Sequence, residues 1–187
     1  MEEIRLNLDR DGFSRRECPR CRAHFKVPWG VREEPVVAAA LAARVPHLNA
    51  AEADGGVAER YCPYCGTHAP ADHFLTSDAL LRIDAHAHKL QSELRWRALR
   101  APLDLLSANP RPTYVAVRPE EVRLPRLRAD WDDLARMLVP CCGEEQKVSD
   151  AWVGPVRCHH CGTAHLRSGP RDVGLEMAML RQWTSET

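Results

Sequence analysis

The chain has 187 residues, and its 26 Lys and Arg balance 26 Asp and Glu, so the formal charge is zero. That balance excludes a general electrostatic pull on nucleic acid or anionic membrane, so any basic surface must be local. The longest apolar run, eight mostly alanine residues at 36–43, excludes a membrane-spanning helix, which needs about 20.

The length suits one or two small domains, and with 14 prolines and 6% aromatic residues a single large core is not expected. Residues 1–12 are charged and lack a secretory apolar segment, so a cytoplasmic location with reduced thiols is expected. Ile4, Leu6 and Leu8 alternate as a strand does. Cys18-Pro19-Arg20-Cys21 follows, and His24 to Pro28 then reads as a strand leaving that turn. Pro35 opens an alanine-rich helix running to about Val45, ended by Pro46. Residues 57–61 lead from a Gly-Gly turn into Cys62-Pro63-Tyr64-Cys65-Gly66.

From Thr76 or Ser77, either of which can cap a helix, an apolar stripe runs through Leu80, Ile83, Ala87, Leu90, Leu94 and Ala98. Pro102 is the predicted end. The opposite face carries Arg82, His86, Lys89, Glu93, Arg97 and Arg100. A Pro- and Arg-rich stretch follows, with a short strand at Tyr114 to Val117. Met137 to Val139 reads as a strand entering Cys141-Cys142-Gly143, and Cys158-His159-His160-Cys161-Gly162 completes a second set. Residues 146–148 and 155–157 fit the arms of a hairpin, and Val173, Met177, Leu180 and Trp183 mark a C-terminal helix.

All eight cysteines fall in these four pairs. Two thiolates on one tight turn can grip one side of a tetrahedral ion, and a second turn supplies the other side. Two Zn²⁺ sites are therefore expected: Cys18, Cys21, Cys62 and Cys65, then Cys141, Cys142, Cys158 and Cys161. Cys141 and Cys142 are neighbours rather than two residues apart, so His159, His160 or His165 could replace one of them.

The C-P-R-C at 18–21 and C-P-Y-C-G at 62–66 resemble the zinc-ribbon family. The resemblance implies two short-stranded modules, each built around a structural zinc, in an α+β chain. The expected organisation is a ribbon module with a helical insertion at 1–75, a connecting helix and linker at 76–112, and a second ribbon module with a C-terminal helix at 113–187. Gly66, Gly143 and Gly162 follow their cysteine pairs as the ribbon turn prefers, whereas Arg22 departs from that pattern.

Four sulfurs leave no open position for a zinc-bound water, so no enzyme activity is expected. The deaminase pattern fails, since no His is followed two residues later by Glu. Asp84-Ala85-His86-Ala87-His88 looks like a hydrolase metal motif, but a helix points His86 and His88 about 200° apart. The expected function is a zinc-binding adaptor for a protein partner, with neither a membrane nor a small-molecule substrate. The alternative is a nucleic-acid-binding accessory protein using Arg82, Lys89, Arg97 and Arg100.

Overall fold

A computed structural model describes residues 4, 6–45, 58–107, 121–127, 130 and 134–166. The expected strand at 114–117 and helix at 173–183 lie outside the described residues. The fold is mixed α+β, with small antiparallel sheets and two α-helices among the described residues. No helix there is long and apolar enough to cross a membrane.

Two strands, β1 (Phe13–Glu17) and β2 (His24–Pro28), flank the first cysteine turn and pair antiparallel, Arg15 opposite Lys26. Among the described residues of the expected N-terminal strand, Leu8 forms an isolated bridge with Ser14 beside this hairpin. Strands β5 (Leu134–Val139) and β6 (Glu144–Ser149) flank Cys141 and Cys142 in the same manner, Arg136 opposite Lys147. The two hairpins join through β2 and β6, with Lys26 opposite Lys147, giving one sheet in the order β1-β2-β6-β5. Strands from both halves of the chain thus share a single sheet, where two modules linked by a helix were expected.

The remaining strands form two small hairpins: β3 (Glu59–Tyr61) with β4 (His68–Pro70), and β7 (Val156–Arg157) with β8 (Ala164–His165). The predicted hairpin between residues 146–148 and 155–157 does not form. Both edges of β6 are taken, by β5 and β2, because the tight turn after Val139 closes β5 on β6 at little loop entropy.

Directly opposed residues share a sheet face. One face of the joined sheet therefore carries a row of cations, Arg15, Lys26, Lys147 and Arg136. The N-terminal segment covers the two lysines. Asp9 accepts from the buried ammonium groups of Lys26 (3.2 Å) and Lys147 (2.8 Å), and Asp130 pairs with Lys26 (3.1 Å) and Arg15 (2.7 Å). Phe13 lies beneath the Lys147 ammonium, 4.7 Å from the ring centroid. The opposite face holds Phe25 and Val27, which pack with Cys18, Cys62 and Phe74 as one core cluster.

Helix α1 (Glu34–Ala42) has Pro in its first turn and buries Val36, Val37 and Ala40. Helix α2 (Ser77–Ser107) starts where the Thr76 hydroxyl accepts the Ala79 N–H at 3.3 Å. Ile83 joins Val37, Ala40, Leu6 and Leu75 in a second core cluster. Two expectations for α2 are corrected. It runs through Pro102 to Ser107, since one missing N–H does not stop a run of strong helix formers. Arg82 and His86, assigned to the solvent face, are buried beside Ile83 and Ala87. The Arg82 guanidinium donates to the Pro125 carbonyl, a partner far along the chain that supplies what water would have supplied. His88, two residues from His86, is exposed.

Candidate metal centres

Each of the four cysteine turns closes on the same main-chain bond. The N–H of the residue after the second cysteine donates to the carbonyl four positions back: Arg22 to Cys18 (3.0 Å), Gly66 to Cys62 (3.1 Å), Gly143 to Val139 (2.9 Å) and Gly162 to Cys158 (2.9 Å). That residue has positive φ in every turn: 61° at Arg22, 71° at Gly66, 65° at Gly143 and 73° at Gly162. Arg22 therefore adopts the ribbon-turn backbone despite its side chain, which reaches Glu17 at 2.6 Å. The pattern also locates the irregularity of the third turn. Val139, buried at 1% exposure, holds the place that Cys18 holds in the first turn, and Cys141 stands at the place of Arg20.

The turns bring the thiols together as the spacing predicts. In each group, Cys18, Cys21, Cys62 and Cys65, and Cys141, Cys142, Cys158 and Cys161, all four sulfurs lie within 4.8 Å of one another. A tetrahedral ion with sulfur ligands at about 2.3 Å has sulfur–sulfur edges of about 3.8 Å. Cys18–Cys65 and Cys21–Cys62 are each 3.7 Å apart, so the first group fits such an ion. The second is uneven, with Cys161 and Cys141 at 3.3 Å and the His165 Nε2 3.1 Å from Cys141 Sγ.

Hydrogen bonds to sulfur prepare the first site. Cys18 Sγ accepts from the N–H groups of Arg20 and Cys21, and Cys62 Sγ from that of Tyr64, all at 3.4 Å. Burial pushes the Cys62 thiol well up, and burial also raises Cys65, but the Thr67 hydroxyl and main-chain N–H outweigh it and bring Cys65 down to about 6. In the second site the Thr163 hydroxyl and N–H bring Cys161 to about 6, whereas desolvation and the neighbouring sulfurs push Cys141 up to about 11 and Cys142 to about 12. A central cation favours the thiolate at every one of these positions.

Of the three histidines offered as substitute ligands, only His165 touches a cluster. His159 is buried between Phe25 and Phe74, its Nδ1 2.8 Å from the Tyr61 carbonyl. Burial holds its imidazole well below the ordinary histidine range, so it stays neutral. His160 pairs with Glu144.

The two sites are stitched together reciprocally. The Tyr61 N–H donates to the His159 carbonyl and the Arg157 N–H to the Pro63 carbonyl, both at 2.9 Å. In each bond the residue before one cysteine turn meets the residue after the first cysteine of the other. The side chains repeat the exchange: a Cβ at Gly162 would lie 2.7 Å from the Tyr61 ring, and one at Gly66 would lie 2.7 Å from Arg157. With Lys26 opposite Lys147, these contacts relate the halves by an approximate two-fold. The signal was present in the sequence, where Val139-Pro140-Cys141-Cys142-Gly143 aligns with Cys18-Pro19-Arg20-Cys21-Arg22, and Cys158-His159-His160-Cys161-Gly162 with Cys62-Pro63-Tyr64-Cys65-Gly66.

The basic residues considered for nucleic acid are not gathered on one surface. Arg82 is buried and Lys89 half-buried, while Arg97 and Arg100 are exposed further along α2. No protein-family model, curated protein or solved structure matches the chain.

Proposed function

We propose that the chain is a non-catalytic adaptor whose two ribbon-like centres each bind Zn²⁺ and hold a rigid platform for a protein partner. The observation that carries this reading is the donor set. Each cluster offers four sulfurs to one centre, which suits Zn²⁺ and fills its tetrahedral shell, leaving no position for a reacting water. The platform would present β5, an edge strand with Leu138 60% exposed, and the distal part of α2, where Arg95, Arg97, Leu99 and Arg100 are exposed. Metal analysis is the first test, with two zinc per chain expected. Affinity purification with the loaded chain and with Cys62→Ser is the second. A protein recovered with the former and lost with the latter supports the adaptor; recovery of the same proteins by both contradicts it.

The second reading is nucleic-acid binding by the exposed arginines of α2. It expects retention on DNA or RNA that falls steeply with salt and is lost in Arg97→Glu/Arg100→Glu. Salt-insensitive retention, or none, rejects it.

A further inference from the structure

We infer that the second cluster is a thiol-oxidation site, in which Cys141 and Cys161 form a disulfide and release the metal while the first cluster stays loaded. The inference rests on the reading of both clusters as zinc centres.

Two observations separate the clusters. In the first, each close sulfur pair joins an exposed cysteine to a buried one, Cys65 to Cys18 and Cys21 to Cys62. In the second, the close pair is Cys141 with Cys161, both exposed and 3.3 Å apart. The exposed pair of the first cluster, Cys21 and Cys65, lies within 4.8 Å but is not one of its 3.7 Å contacts, so the close contact that an oxidant in solvent reaches from both sides is Cys141–Cys161. Second, Cys18 sits where two main-chain N–H groups point at its sulfur and withdraw charge from it. Cys141 has moved to the position of Arg20, a donor of one of those bonds, and Val139 fills the position that receives them.

The chemistry balances with a peroxide as oxidant. The Cys161 sulfur attacks one peroxide oxygen; the O–O bond breaks, leaving a sulfenic acid and a hydroxide that takes a proton to become water. The Cys141 thiolate then attacks the sulfenic sulfur; the S–S bond forms, the S–O bond breaks, and the departing hydroxide is protonated to a second water. Two thiolates lose two electrons and hydrogen peroxide gains them. Cys142 and Cys158 remain, too few to retain the ion.

The test uses the full chain. Zinc is counted first, then hydrogen peroxide is titrated in, with released zinc read by a chromogenic chelator and disulfides mapped by peptide mass. One zinc released per chain with a Cys141–Cys161 disulfide, both reversed by dithiothreitol and fresh zinc, is the expected result. Simultaneous loss of both zincs, earlier loss from the first cluster, or a disulfide elsewhere overturns it. A chain holding fewer than two zincs before peroxide fails the metal reading itself, and the inference with it. The variant Val139→Cys/Cys141→Arg restores the first-turn arrangement and should keep both zincs while releasing them at least about tenfold more slowly. Release as fast as in the parent overturns the inference; if the variant does not bind two zincs, the disulfide map of the parent decides.

Discussion

Gly143 and Gly162 share a left-handed backbone, φ 65° and 73°, but differ in what surrounds them. A Cβ at Gly143 meets nothing within 4 Å, whereas one at Gly162 meets the Tyr61 ring at 2.7 Å. Gly143→Ala should cost about 1–2 kcal/mol for the backbone alone. Gly162→Ala adds an overpacking penalty of about 1–3 kcal/mol. Denaturant melts of the metal-loaded variants would measure the difference, and equal losses would show that Tyr61 simply moves aside. Arg22 provides the converse case. It occupies φ 61° with an exposed side chain whose pairing to Glu17 contributes little, so Arg22→Gly should be neutral or stabilising by up to about 1 kcal/mol. A clear loss in the same melts would mean the ion pair outweighs the backbone relief.

Among the elements, the two lysines of the cation row depend on the segment that covers them. Asp9 accepts from Lys26 and Lys147, all three side chains at most 3% exposed, while its other oxygen accepts the N–H groups of Asp11 and Phe13. Asp9→Ala leaves two buried ammonium groups short of a carboxylate and should cost about 3–5 kcal/mol, read as a lowered urea midpoint. A loss below about 1 kcal/mol would mean water or Asp130 replaces the carboxylate. The local parts of this arrangement were legible in the sequence: β2 spans His24–Pro28, the strand expected to leave the first cysteine turn, the Thr76 cap starts α2, and the cysteine spacing gives both sulfur clusters. What was not legible depends on distant partners. Helical periodicity counts Arg82 as a solvent residue, and the distant carbonyl of Pro125 helps make its burial tolerable. Similarly, no pattern within residues 144–149 reveals that β6 takes β2 as its second neighbour.

At the scale of the molecule, the shared sheet and the paired bonds between Tyr61, His159, Arg157 and Pro63 make the halves interdependent. Removing the proposed zinc with a strong chelator should abolish cooperative melting altogether, because binding energy in such sites is folding energy. Cys62→Ser should lower the stability of both halves, seen as a single shifted transition in calorimetry, while two separate transitions would mean the halves melt alone. Residues 1–112 and 113–187 expressed as separate chains should co-purify in equal amounts, and recovery of either half as a folded monomer would contradict the shared sheet.

The near-repeat also explains how one chain can hold two unlike sites. In an assembly of identical subunits every substitution appears twice, so a valine in place of a ligand would be imposed on both ions together. Here the lobes are encoded separately, and Val139 with Cys141 alters one grip while Cys18 keeps the other. Covalent linkage of the lobes is what would permit the proposed permanent anchor and expendable one within the same small sheet.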